Sequence, residues 1–139
     1  MELQAHLPQA FAPRERTLPA ILERQSGLFG ARPLFTCGGE TWSFTDTRDI
    51  AAGMAGAFAA AGLRRGDRLA ILCSNRPEFM RAFLGCAWLG LVAVPINAAV
   101  KGPQLAYLLE NSGAVALVVE DSLAGALAAA GRGALRHVW

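Results

Sequence analysis

Apolar and polar positions in this chain follow two periods, one helical and one extended. In "LPAILERQSGLF", Leu18, Ile21, Leu22, Leu28 and Phe29 recur at helical spacing and Pro19 suits a first turn. A short amphipathic helix is therefore expected over 18–29. In "PLFTCGGETWSF", two short runs of β-favouring residues flank Gly38-Gly39, a pair that supplies the positive φ of a tight turn, so a hairpin is expected. "SFTD" reads as a capping box, with Ser43 capping the third amide of a helix and Asp46 reaching back as a shorter Glu. That helix places Ile50, Met54, Ala57, Phe58 and Ala61 on one face, and Gly62 ends it.

Beyond Gly62, short apolar runs alternate with helical stretches. "DRLAILC" reads as a strand. Asn75 and Glu78, three apart, suggest a second capping box with Pro77 in the first turn. The helix then runs through Phe79, Met80, Phe83, Leu84, Ala87 and Trp88 to Leu91. "LVAVPIN" is the next strand. Gly102 and Pro103 open a helix carrying Leu105, Leu108 and Leu109 that ends near Gly113. "AVALVVE" is a third strand, "SLAGALAAAG" a third helix of this series, and "LRHVW" begins a fourth strand. The fold class is α/β: a helix and a β-hairpin, then β-α-β-α-β-α-β units with right-handed crossovers forming a mostly parallel sheet with helices on both faces. Residues 1–16, with Pro8 and Pro13, read as an irregular arm, and 17–139 as the folded unit. Ligands of such sheets sit off the carboxyl ends of the strands, here "CSNRP" (73–77), "PINAAVKG" (95–102) and "EDS" (120–122).

Composition refines this picture. With 53% hydrophobic and 17% charged residues, the 139-residue chain is not disordered and is more apolar than an average soluble domain. Either the alanine-rich helices account for this, or some apolar surface awaits a partner or more chain. Ala82 to Val100 lacks any charged side chain and approaches bilayer length. Pro95, Asn97 and the valine-rich run before them argue for a buried strand instead, so a membrane is an unlikely partner. The net charge of +2 comes without a basic block, which argues against nucleic acid. Cys37, Cys73 and Cys86 have no metal-ligand spacing and read as free thiols of a reducing compartment. The first residues lack a secretory pattern, so a cytoplasmic location is expected.

Catalytic apparatus is scarce. The sequence holds no G-x-G-x-x-G, no G-x-x-x-x-G-K-[ST] and no G-x-S-x-G. His6 lies in the arm and His137 in the last strand, neither beside a nucleophile. Glu120 and Asp121 are neighbours that face opposite sides of a strand, with Asp121 or Ser122 placed to cap the following helix. Arg65-Gly66-Asp67 is a tight turn into a strand rather than an adhesion tripeptide, and Lys101 a solvated loop lysine. Asn75 and Asn97 either face a ligand cleft or bond loop backbone. No residue qualifies as catalytic or as a metal ligand.

"LRRGDRLAIL", "SNRPEFMRAFLGCAWLG", "AVPIN" and "LLENSGAVALVVED", preceded by "RTLPAILERQSGLFGARPLF" and "GGETWSFTD", occur in this order from Arg16 to Trp139. This series resembles the N-terminal region of the adenylate-forming, AMP-binding acyl-CoA synthetases. "VPIN" and "LRHV" are most similar to the carnitine/crotonobetaine and medium-chain branch. Arg76, Gly102 and Thr47 depart from the common residues there, each at a cost of about 1 kcal/mol in a cap or contact. The resemblance implies a subdomain of a longer ligase that converts a small carboxylic acid, ATP and CoA to acyl-CoA, AMP and pyrophosphate through an acyl-adenylate. ATP, CoA and Mg would be cofactors of the complete enzyme, none of them held tightly by this chain. The family's phosphate loop, its ATP- and Mg-handling acidic residues and its adenylating lysine have no counterpart here, so the chain alone is expected to be inactive and truncated. By motif position, Asn97, Ala98 and Ala99 would lie on the CoA side of the cleft. The expected partner is the rest of the ligase or a full-length synthetase. Alternatives are a stand-alone α/β interaction module and a membrane-associated protein.

Overall fold

A computed structural model describes residues 11–139. Of the expected arm, residues 1–10, with His6 and Pro8, lie outside the described residues. The remainder is not wholly irregular, because Pro13–Glu15 forms a 3-10 turn. Helix α1 (Leu18–Phe29) follows, with the Thr17 hydroxyl accepting the Ala20 N–H and Pro19 in the first turn. The hairpin is β1 (Pro33–Cys37) and β2 (Glu40–Ser43), joined by Gly38 and Gly39 at φ 59° and 82°. Those angles belong to glycine, which is why the pair can close so short a turn.

Helix α2 (Phe44–Ala60) starts with the expected capping box. Ser43 Oγ accepts the Asp46 N–H at 3.0 Å, and Asp46 Oδ2 accepts the Ser43 N–H at 2.9 Å. Its buried face differs from the expected one. Thr47, Ala51, Ala55 and Phe58 are buried, whereas Ala57 is exposed. Ile50 and Met54 are partly buried beside this stripe, because α2 packs against α1, the hairpin and α3 together. Thr47 is satisfied there, its hydroxyl donating to the Ser43 carbonyl at 2.7 Å. In α1 the buried residues are Leu22 and Ser26, while Leu28 is exposed.

The sheet is fully parallel, in the order β4-β3-β5-β6. Its strands are β3 (Arg68–Leu72), β4 (Val92–Pro95), β5 (Ala116–Val119) and β6 (His137–Val138). Helix α3 (Pro77–Leu89) connects β3 to β4, α4 (Gly102–Ser112) connects β4 to β5, and α5 (Ala124–Ala130) connects β5 to β6. The central strand β3 buries Leu69 and Ile71 with α2 and α3 on one face, and Ala70 and Leu72 with α4 and α5 on the other. Two-sided burial is why "LAIL" is continuously apolar. Ala82 to Val100 is thereby explained as the end of α3, strand β4 and the loop after it, and no helix among the described residues is long and apolar enough to cross a membrane.

Two helix starts depart from expectation and a third agrees with it. Arg76, not Asn75, is the N-cap of α3, and no side chain caps it; Glu78 instead accepts from Arg76 Nε at 2.7 Å. Pro77 in the first turn removes one of the orphan N–H groups, which lowers the need for a cap. Helix α4 opens at Gly102 and Pro103 as expected, with Lys101 as its N-cap and no side chain capping it. Asp121 and Ser122 do not cap α5. They belong to a 3-10 turn (Asp121–Leu123), and the Ser122 hydroxyl donates to Glu120 instead.

Candidate functional site

Parallel strands and their crossovers bring "CSNRP", "PIN" and "EDS" to one edge of the sheet, as the α/β rule requires. Two clefts open there. The larger, about 510 Å³, lies between the ends of β3 and β4 and is lined by Cys73, Ser74, Asn75, Phe79, Pro95, Ile96, Asn97 and Ala98. The smaller, about 240 Å³, lies over β5 between Arg76, Glu78, Glu120, Asp121 and Trp139. Cys73 borders both.

Between them stands Glu120. One of its carboxylate oxygens accepts the Ser74 N–H at 3.0 Å and the Ser74 hydroxyl at 2.6 Å. The other accepts the Ser122 hydroxyl at 2.6 Å and faces Arg76 Nη1 at 3.6 Å. The hydroxyls of Ser122 and Ser74, then the Ser74 amide, pull its pKa down to about 2, with Arg76 adding to the effect. Glu120 is therefore ionised above that value, with three hydrogen bonds spread over its two oxygens. It ties the end of β5 to the loop after β3.

This chemistry favours holding a ligand over reacting with one. Glu120 is too weak a base to activate Ser74, to which it is bonded. The Cys73 thiol is pushed up by burial and by the Glu120 charge, and Cys86 is pushed up to about 12 by burial, so neither is an activated nucleophile. His137 lies in β6, stacked on Trp139 with ring centroids 5.5 Å apart. Three hydrogen bonds hold the Glu120 carboxylate in place, and no cluster of three or more His, Cys, Asp or Glu is grouped for a metal among the described residues. The larger cleft is different: an apolar floor of Phe79 and Ile96 sits beside the carboxamides of Asn75 and Asn97.

Of the three residues expected on the CoA side, Asn97 and Ala98 line that cleft, while Ala99 does not. Ala99 serves the loop: its N–H donates to Asn97 Oδ1 at 2.9 Å, a local turn that fixes the Asn97 side chain. Asn97 is thus both of the things the sequence allowed, bonded to loop backbone and facing a cleft. Sequence reasoning missed Ser74 and Phe79. The strand-end rule had pointed to the segment holding Ser74, but its bond to Glu120 spans 46 positions and leaves no local signal.

The hairpin braces this edge from outside. Cys37 Sγ donates to the Asn75 carbonyl at 3.8 Å, and a Cβ on Gly38 would come within 3.1 Å of the Pro77 ring. Arg81 of α3 donates to Glu40 at 2.6 Å and lies 4.9 Å from the centroid of the Trp42 ring, whose Nε1 donates to the same carboxylate.

Comparison with known proteins agrees with this architecture. The AMP-binding enzyme family matches residues 22–138. The chain belongs to that family. A feruloyl-CoA synthase of Amycolatopsis is 34% identical over 73% of this chain and 21% of its own length. A crotonobetaine/carnitine–CoA ligase of Salmonella paratyphi B is 44% identical over 40% of the chain and 11% of its own length. The chain thus spans about a fifth or less of the curated relatives it matches. Among solved structures, the anthranilate CoA ligase AuaEII in complex with anthranoyl-AMP superimposes with a TM-score of 0.83 at 23% identity, over 91% of this chain and 25% of that one. The N-terminal domain of FACL13 from Mycobacterium tuberculosis gives 0.79 at 24% identity, over 88% and 32%. These likenesses show the same fold.

Proposed function

We propose that residues 17–139, behind an arm over 1–16, are the N-terminal subdomain of a cytoplasmic, ATP-dependent acyl-CoA ligase. The observation that carries this reading is the family match across nearly the whole described chain. In that reaction a carboxylate oxygen attacks the α-phosphorus of ATP and pyrophosphate leaves. The CoA thiolate then attacks the acyl carbon and AMP leaves. ATP, Mg and the charge-stabilising groups such a transfer needs would be held by other parts of a complete enzyme, since the side chains here offer no phosphate cradle.

This subdomain contributes a wall. The larger cleft suits the pantetheine arm of CoA, a flexible chain that alternates amides with short apolar stretches. Asn97 keeps its amide nitrogen to donate while its oxygen is held by Ala99. Phe79 and Ile96 would cover the apolar stretches. Two measurements test the reading. The 139-residue protein should show no carboxylate-dependent exchange between ATP and pyrophosphate, and exchange by this chain alone would refute the assignment of adenylation to other parts. Titrating the isotopically labelled chain with pantetheine should shift the Asn75, Asn97 and Ala98 resonances selectively. Shifts elsewhere, or none at saturating ligand, would remove the pantetheine wall. Tight, stoichiometric association with a full-length synthetase would favour the alternative of a stand-alone interaction module.

A further inference from the structure

The opposite edge of the sheet carries a different chemistry. Arg64 and Arg65 lie in the turn before β3, Arg68 opens β3, Arg132 lies in the turn before β6, and Arg136 immediately precedes it. All five are exposed. They are far apart in sequence, but the fold gathers them. The Val115 N–H donates to the Arg68 carbonyl at 2.9 Å, and the Arg136 N–H to the Val115 carbonyl at 2.7 Å. Arg68, Val115 and Arg136 thus form the rung below Leu69, Ala116 and His137. Arg65 lies across Gly90, with Nη1 3.3 Å from where a Cβ would stand, and Arg68 Nη1 lies 3.4 Å from the same point on Gly113. Carboxylates are few here. Asp67 faces Arg136 at 3.6 Å and accepts the Arg64 N–H at 2.9 Å. Among the described residues, no other member of the five lies within ion-pair distance of a carboxylate. A chain whose net charge is only +2 therefore concentrates positive charge at this edge.

We propose that this edge docks an acidic helix of a partner protein, laid across β3, β5 and β6. Adjacent strands are about 4.8 Å apart, so Arg68 and Arg136, two strands apart, are based about 9.6 Å from each other. Two turns of α-helix advance about 10.8 Å, so carboxylates seven residues apart on one helical face meet this pair. Arg64, Arg65 and Arg132 flank the line on either side. Guanidinium forks pair with carboxylates through two parallel hydrogen bonds, which gives such an array geometric selectivity as well as charge. An anionic bilayer fits less well. The strand residue Val92 is an exposed apolar side chain at this edge, whereas surface anchoring needs an apolar face as well as charge.

The test uses the 139-residue chain and a fluorescent helical peptide of about 20 residues bearing Glu on one face at successive turns, against its Gln counterpart. Anisotropy should show binding of the Glu peptide only, weakening about tenfold between roughly 0.05 and 0.2 M salt as screening shortens the reach of the charges. Replacing Arg68→Gln and Arg136→Gln together should weaken binding about tenfold, the pair Arg64→Gln and Arg132→Gln less, and Lys101→Gln at the opposite edge not at all. The second pair lies outside the strands and serves if the first impairs folding, which circular dichroism would reveal. Equal binding by all variants, failure of the Glu peptide to bind at low salt, or binding only to phosphatidylcholine–phosphatidylserine vesicles would overturn the proposal.

Discussion

Gly85→Ala probes the contact that sets the cleft. Gly85 lies in α3 where it crosses α2. A Cβ there would stand 2.5 Å from Met54 Cγ, 2.8 Å from Met54 Cβ and 3.1 Å from Phe58 Cε2. Rotation of Met54 can move its Cγ, but its Cβ is fixed to the α2 backbone. Restoring an ordinary carbon contact of about 3.5 Å therefore moves the helices apart by about 0.7 Å. Overpacking of this kind costs about 1–3 kcal/mol, offset by about 1 kcal/mol of helix propensity gained on replacing glycine. The net expectation is a loss of about 1 kcal/mol, or about 3–5 °C in Tm. Gly53 and Gly56 in α2 have nothing within 4 Å of a Cβ. Gly53→Ala should therefore gain about 0.5–1 kcal/mol from propensity alone. Urea unfolding followed by circular dichroism compares the two, and a Gly85→Ala protein as stabilised as Gly53→Ala would show that the helices do not touch as described. Because α3 begins at the cleft, beside Asn75 and Phe79, the same shift should also alter the response of those residues to pantetheine.

Two further outcomes follow from the polar contacts. Glu120 has a depressed pKa, so the stability it supplies is fully present above its ordinary value of 4.5 and lost as pH falls from there towards about 2. Denaturation midpoints measured across that window should fall more steeply for the native protein than for Glu120→Gln, and parallel curves would refute the pin between β5 and Ser74. Arg81→Ala removes both the bond to Glu40 and the contact with the Trp42 ring. Partly exposed as these groups are, it should cost about 1 kcal/mol and shift tryptophan emission to the red, and unchanged emission would mean the hairpin stays docked without it.

Much of the fold was legible because each element is marked locally. Gly38-Gly39 can close only a tight turn, Ser43 and Asp46 satisfy each other across one helical turn, and the unbroken apolar run in β3 demands burial on both faces. Reading failed where packing overrides a local rule. In α2 the periodic stripe through Ala57 was misplaced, because small alanines were read as members of a general apolar face. In a helix packed on three neighbours, Ala51 and Ala55 are buried while Ala57 is exposed. The same holds for α3, where Ala82, Gly85 and Cys86 are buried although larger residues drew attention. The capping box at Asn75 and the cap at Asp121 or Ser122 failed because residue type states what a side chain can accept, while the fold decides which donor reaches it. Arg76 donates to Glu78, and the Ser122 hydroxyl donates to Glu120.

Site legibility follows the same division. Topology alone placed the loops after β3, β4 and β5 on one edge, since parallel strands with crossovers leave all carboxyl ends together, and that sufficed to find Asn75 and Asn97. It could not reveal that Glu120 closes on Ser74, because two strand ends become hydrogen-bonded neighbours only once the register is fixed. The same register, read at the other end of β3 and β6, aligns Arg68 with Arg136. A scan for charge runs along the chain sees arginines spread thinly there, whereas the parallel sheet places the residues before successive strands side by side. Parallel pairing thus sorts this chain into two faces: at the carboxyl edge polar groups are matched to one another around a cleft, and at the amino edge arginines are left with few carboxylates of their own. A ligand wall needs the first arrangement, since pre-paired groups hold a fixed shape. A docking surface needs the second, since charges left unmatched within the chain are what a partner can neutralise.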